Sequence, residues 1–261
     1  MGLTLRHLPR PVSTRNSPLT GGNSPLLCYV TDRHSLPVAN PAESVAALTQ
    51  KIEEIAAAGV DWVQIREKDL AARELALLTR QALRITAKYS AKRSSPIRVL
   101  VNDRLDVAIA ERTNGVHLGE KSMRVAEAKR LVESPVQKQT VDRSFLLGAS
   151  CHSIEAAQAA ERDGADYIFF GPIFATPSKE LFGTPQGTER LEQVCRGVSI
   201  PVLAIGGITL DNAESCLAAG ATGIAAIRLF QGVINRAGAM RRLRQLVSYP
   251  RQLPADRKAG H

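Results

Sequence analysis

Thr176, Ser178 and Lys179 place two hydroxyls and an ammonium within four residues, in a stretch too rich in Gly, Pro and hydroxyl residues to be helical. Such a group suits a phosphate, although the same loop also reads as ordinary solvated surface. Arg66 and Lys68 lie two apart on an extended segment, so both can point one way while Glu67 points away. A diphosphate needs such a pair; in isolation, Arg-Glu-Lys is equally a solvated charge run. Asn102-Asp103 offers an amide and a carboxylate, a fit for a Mg²⁺ bridging diphosphate oxygens, unless Arg104 pairs with Asp103 instead. In Ala204-Ile205-Gly206-Gly207-Ile208-Thr209 an apolar run meets two glycines and a helix start, which lets bare N–H groups approach an anion. The competing reading is a tight turn that needs positive φ. His152, beside Ser150, could transfer protons near neutral pH or merely cap and pack. His117, in an apolar setting, reads as a satisfied core histidine.

These residues need elements to position them. A continuous apolar run at 167–170, bounded by Asp166 and Gly171, predicts a parallel strand covered on both faces, because alternation is expected only where one face meets water. Similar runs predict strands at 26–31, 62–65, 97–101, 115–118, 145–149, 201–205 and 223–227. Helical spacing and end signals predict helices between them. Asn40-Pro41-Ala42-Glu43 starts one that Gly59 stops. Others are expected over 70–89, 105–112, 123–132, from Ser153 onward, over 188–196 and over 209–219, with a final basic helix over 233–247. Eight strand-helix units with no second run of strands predict a single (β/α)8 TIM barrel, an α/β fold, over residues 26–247.

The charge has a location. The chain has 261 residues and a net charge of +9, of which +3 falls in residues 1–25 and +5 in 240–261, leaving +1 between. That distribution argues against a nucleic-acid groove. Residues 1–25 and 248–261, without periodicity, are expected to be a disordered basic leader and a disordered tail. Hydrophobic content of 44% and charged content of 23% are ordinary for a soluble globular protein, and no apolar run approaches a membrane span. Cys28, Cys151, Cys195 and Cys216 form no C-x-x-C pair and are read as buried reduced thiols. Without an apolar signal segment, a cytoplasmic protein is expected.

Barrel geometry gathers the polar residues. Strand carboxyl ends share one mouth, and the active sites of such barrels lie there. Following each strand come Asp32; Arg66 and Lys68; Asn102 and Asp103; His117 and Gly119; Ser150 and His152; Thr176, Ser178 and Lys179; Gly206 and Gly207; and Arg228. Four cations among them against two acids predict an anionic, phosphorylated small-molecule ligand.

The motifs Val63-Gln64-Ile65-Arg66-Glu67-Lys68, Val101-Asn102-Asp103-Arg104, Gly115-Val116-His117-Leu118-Gly119, Gly148-Ala149-Ser150, Gly171-Pro172-Ile173-Phe174, Thr176-Pro177-Ser178-Lys179 and Ala204-Ile205-Gly206-Gly207-Ile208 together resemble the thiamine phosphate synthases over roughly residues 28–230. The resemblance implies joining of hydroxymethylpyrimidine diphosphate to a thiazole phosphate carboxylate, with release of pyrophosphate. It implies that Gln64, Arg66, Lys68, Asn102 and Ser150 meet the pyrimidine substrate, with Lys179 on its pyrophosphate. Asp103 is the implied Mg²⁺ ligand. Thr176 and Ser178 are implied to bind the thiazole phosphate with Gly206 or Gly207 and the backbone near Ile227 and Arg228. Lys179, Arg66, Ser150 and His152 are the candidates for catalysis. No membrane partner is expected, and homo-oligomerisation is left open.

Two positions depart from the family pattern. Gln-x-Asp usually follows His-Leu-Gly, its Asp a second metal ligand, whereas Glu120-Lys121-Ser122 stands here. Glu120 and Lys121 are both open as substitutes. Near Arg228 the family usually has Ser. These departures keep a sister family, the thiazole tautomerases, as an alternative, since His152 matches their Ser-x-His histidine. A barrel that binds a thiamine precursor without turnover is the third reading.

Overall fold

Eight runs of residues, buried along nearly their whole length, form the strands of this computed structural model, as a parallel sheet covered on both faces requires. The structure describes residues 24–91, 93–137, 140–176, 184–232 and 235–246. The strands are β1 (Leu26–Val30), β2 (Trp62–Ile65), β3 (Arg98–Asn102), β4 (Gly115–Leu118), β5 (Leu146–Cys151), β6 (Tyr167–Phe170), β7 (Val202–Ile205) and β8 (Gly223–Ala226). They pair in parallel in chain order, and β1 closes on β8 with Leu26 opposite Gly223. The helices are α1 (Ser44–Ala58), α2 (Ala72–Ser90), α3 (Leu105–Ala110), α4 (Val125–Val132), α5 (Ile154–Asp163), α6 (Gly187–Gly197), α7 (Ala213–Ala218), α8 (Arg228–Gln231) and α9 (Arg236–Gln245). No described helix is long and apolar enough to cross a membrane.

Successive strand residues serve two cores. Leu27, Tyr29, Val63, Ile65, Val99 and Val101 pack with helix residues such as Leu48, Ile52 and Leu78. Their neighbours one residue along, Cys28, Trp62, Leu100, Tyr167, Phe169 and Leu203, form a separate cluster inside the barrel. Trp62 meets Tyr167 edge-on, with ring centroids 4.8 Å apart. Gly148 makes room for this filling: a Cβ there would lie 2.1 Å from the Tyr167 ring. All four cysteines are buried thiols outside any disulfide.

Several predicted helix bounds are corrected. Asn40 and Pro41 head a 3-10 turn, Pro41–Glu43, with α1 starting after it. The helix expected over 209–219 shortens to α7, because Asn212 captures the preceding loop. Its Oδ1 accepts from the Thr209 N–H at 2.8 Å and its Nδ2 donates to the Gly207 carbonyl at 3.0 Å. Such side chain to backbone bonds compete with helix formation. The final basic helix expected over 233–247 is α9, whose Asn235 Oδ1 accepts from the Gly238 N–H at 2.9 Å, and the short α8 ahead of it was not expected. Residues 1–23 and 247–261, and with them nearly all of the expected leader and the whole tail, lie outside the described residues, as do Ser178 and Lys179.

Candidate functional site

Inward parity along β2 takes the chain from Trp62 to Gln64 and on to Arg66, whereas Lys68 follows in the turn that Leu70 N–H closes onto the Glu67 carbonyl, and is exposed. Gln64 is 1% exposed; its Nε2 donates to Asn102 Oδ1 at 2.9 Å, while its buried Oε1 has no partner among the described residues. Asn102 Nδ2 in turn donates to Asp103 Oδ2 at 2.6 Å. Gln64, Asn102 and Asp103 thus form one polar chain across the ends of β2 and β3. Arg104 does not join it, forking instead onto Asp106 at 2.6 and 2.9 Å.

Asp103 adopts φ 60°, a left-handed conformation that short polar side chains tolerate. Its backbone N–H donates to the His117 carbonyl at 2.9 Å, and its Oδ1 accepts from the Gly119 N–H at 2.8 Å. Ser122 donates its hydroxyl to the same Oδ1. The residue read from sequence as a lost acid therefore occupies the place beside the carboxylate. Glu120 turns the other way, 68% exposed, with its Oε2 3.8 Å from His152 Nε2.

His117 is 1% exposed and joins two neighbouring strands. Its Nε2 lies 2.9 Å from Ser150 Oγ and its Nδ1 3.2 Å from the Tyr167 hydroxyl, with its ring 4.1 Å from that of Phe169. Burial pushes the imidazole pKa down to about 3, opposed by the nearby Asp103 charge and reinforced by Arg66. The ring is neutral at physiological pH. His152 is more open, with 35% of its side chain exposed and Nδ1 against the Gly171 carbonyl.

The loop after β6 lies directly on the turn after β7. Ile173 N–H donates to the Ile205 carbonyl at 3.0 Å, and Phe174 N–H to the Gly206 carbonyl at 3.1 Å. Gly206 and Gly207 have φ of 96° and 67°, and a Cβ at Gly207 would lie 2.6 Å from the Ala175 carbonyl oxygen. Positive φ and the close approach of the β6 loop are both required here, which is the tight-turn reading of the two glycines. This stacking carries Thr176 to the side of the mouth formed by the glycine turn. Ile227 and Arg228 start α8 close by in the chain order of the barrel, with Arg228 exposed.

The structure thus joins Gln64, Asn102 and Asp103 by hydrogen bonds, and the Thr176 loop to Gly206 and Gly207. His152 stands with Glu120 rather than with Ser150, whose partner is His117. His117 is, as its apolar flanks led the sequence reading to expect, a satisfied core histidine, and what the flanks did not give is its bond to Ser150. The sequence reading missed Ser122, for which the three-residue return to Gly119 was the available signal.

The fold is that of a (β/α)8-barrel protein. Comparison narrows the class: residues 35–230 match the thiamine monophosphate synthase family. The chain belongs to that family. It is 39% identical to the thiamine-phosphate synthase of Moorella thermoacetica over 195 residues, 75% of this chain and 86% of that one. It is 40% identical to the thiamine-phosphate synthase of Methanoculleus marisnigri over 193 residues, 74% of this chain and 84% of that one. Among solved structures, thiamine phosphate pyrophosphorylase from Pyrococcus furiosus superposes with a TM-score of 0.68 at 31% identity, covering 86% of this chain and 96% of that one.

Proposed function

We propose that this chain couples hydroxymethylpyrimidine diphosphate to a thiazole phosphate carboxylate, forming thiamine phosphate. The C–O bond of the pyrimidinylmethyl diphosphate breaks with its electron pair leaving on pyrophosphate. The thiazole nitrogen forms the new C–N bond, the carboxylate departs as CO₂, and the ring carbon it leaves takes up a proton from solvent. The family membership carries this reading, and the joined Gln64-Asn102-Asp103 chain beside Arg66 supports it.

In this reading Arg66 and Lys68 hold the diphosphate and Lys179 stabilises the charge that develops on the leaving group. Gln64, Asn102 and Ser150 orient the pyrimidine, with the buried Gln64 Oε1 awaiting a donor. Thr176, Ser178, Gly206 and Gly207 receive the thiazole phosphate, with Ile227 and Arg228 at its margin. His152 stands at the rim, where a proton can be exchanged with solvent.

Among the described residues no group of three or more His, Cys, Asp or Glu side chains is placed to hold a metal. One carboxylate with one hydroxyl, Asp103 with Ser122, still fits Mg²⁺, which is commonly held by one or two carboxylates plus substrate phosphates and water. When bound, that ion supplies positive charge to the leaving diphosphate.

Incubation of the purified protein with both substrates and Mg²⁺ tests the assignment. Thiamine phosphate and pyrophosphate should appear together, and Arg66→Ala and Lys179→Ala should each reduce their formation roughly a hundredfold or more. No coupling, with isomerisation of the thiazole carboxylate that depends on His152, would overturn it in favour of a tautomerase. Binding without either reaction would overturn it in favour of a non-catalytic barrel.

A further inference from the structure

Glu67 sits between the two cations assigned to the diphosphate, yet its side chain leaves the mouth. Alternation along the extended segment puts it on the helix-facing side with Val63 and Ile65. There it is 4% exposed and accepts from Thr31 Oγ1 at 2.6 Å, from the Arg33 backbone N–H at 3.2 Å and from Arg33 Nη1 at 3.0 Å. Arg33, itself 8% exposed, also donates to both oxygens of Asp69, at 2.7 and 2.5 Å. The Thr31 hydroxyl has a second duty, accepting the Arg66 backbone N–H at 2.9 Å.

Every fastening point falls on the segment that carries the cations. Arg66 is tied through its backbone, Glu67 and Asp69 through their carboxylates, and Lys68 lies between tied neighbours. Strand pairing does not call for these bonds, since the β1–β2 and β2–β3 ladders end at Gln64 and Ile65. Buried ion pairs are poor evidence for stability, because apolar replacements often do as well. Holding two long side chains toward one anion is a different matter, since the ordering entropy is then lost before the ligand arrives.

We propose that Glu67, acting through Thr31 and Arg33, is a positioning residue that presents Arg66 and Lys68 to the diphosphate. The inference rests on the diphosphate reading of the mouth. It carries a sign that a charge effect alone would reverse. A carboxylate near a bound anion repels it, so neutralising Glu67 should tighten anion binding if charge alone matters. Loss of positioning should weaken it.

The test is calorimetric titration of folded protein with inorganic pyrophosphate and Mg²⁺, alongside steady-state kinetics. Glu67→Gln should weaken pyrophosphate binding roughly tenfold and raise KM for the pyrimidine diphosphate, leaving KM for the thiazole phosphate within about twofold. Thr31→Val should weaken pyrophosphate binding in the same way, and Thr31→Ser, which keeps the hydroxyl, should restore it. Asp69→Asn, at an exposed site, should give a smaller loss in the same direction. Unchanged or tighter binding by folded Glu67→Gln overturns the proposal. If that variant does not fold, equal affinities for Thr31→Val, Thr31→Ser and wild type overturn it. Failure of the wild-type protein to bind pyrophosphate, with Arg66→Ala no different, overturns the diphosphate reading itself and the inference with it.

Discussion

His117 and Ser150, on adjacent strands, are joined through the imidazole Nε2 and the serine hydroxyl at 2.9 Å. A neutral ring donates from one nitrogen only. Two tautomers satisfy the pair: when the Tyr167 hydroxyl donates to Nδ1, Nε2–H donates to Ser150 and the serine hydrogen is free for a ligand, and in the other Ser150 donates to Nε2. His117→Leu and Ser150→Ala should then each lower kcat roughly tenfold, and the double variant should be little worse than either, as for residues acting in one network. Steady-state kinetics on the four proteins, with thermal melts as a folding control, check this.

Ser122 should limit metal affinity, because it offers a hydroxyl where a carboxylate would double the negative charge beside Asp103. Ser122→Asp is expected to tighten Mn²⁺ binding, used as a spectroscopic stand-in for Mg²⁺, by roughly tenfold. Electron paramagnetic resonance of free Mn²⁺, with and without pyrophosphate, measures it directly. The gain should be larger without pyrophosphate, which otherwise supplies the missing oxygens.

Gly207→Ala should disturb two things together. The added methyl meets the Ala175 carbonyl at 2.6 Å and Phe174 Cβ at 2.7 Å in a backbone held at φ 67°. Overpacking and the left-handed conformation together should cost about 2–3 kcal/mol in a denaturant melt. KM for the thiazole phosphate should rise as the Thr176 loop lifts off the turn.

Asp69 gives a pH signature. The Arg33 guanidinium holds its carboxyl well below the usual range, chiefly through hydrogen bonding. For a depressed acid the unfolded chain binds more protons, so the contribution is full above the ordinary Asp value, near 4, and is lost as pH falls toward the folded value. With 54% of the Asp69 side chain exposed, screening keeps the effect to within about 1 kcal/mol. Asp69→Asn should therefore lower Tm at pH 7, and the deficit should narrow progressively below pH 4 in melts across that range.

The strands were legible because a doubly covered parallel strand is a nearly continuous apolar run, and 62–65 and 115–118, each with one buried polar residue, needed no adjustment. The mouth followed from what ends each strand. Helix ends were less legible: α7 loses its first turn to Asn212, whose side chain competes for the same backbone groups. Contacts between units were not legible at all. The His117 bond to Ser150 depends on β4–β5 register, which sets His117 opposite Gly148, and no local pattern encodes a pairing across 33 residues. Glu67 was read correctly as leaving the mouth, but its partners Thr31 and Arg33 belong to another strand end.

The filling of the barrel and the floor of its mouth are written on the same strands, two residues apart. Trp62 precedes Gln64, and Leu100 precedes Asn102, each pair sharing one face. A strand slipped by one residue would turn both members outward at once. A misregistered barrel would consequently be catalytically silent rather than sloppy, and turnover by this protein serves as a gauge of correct closure.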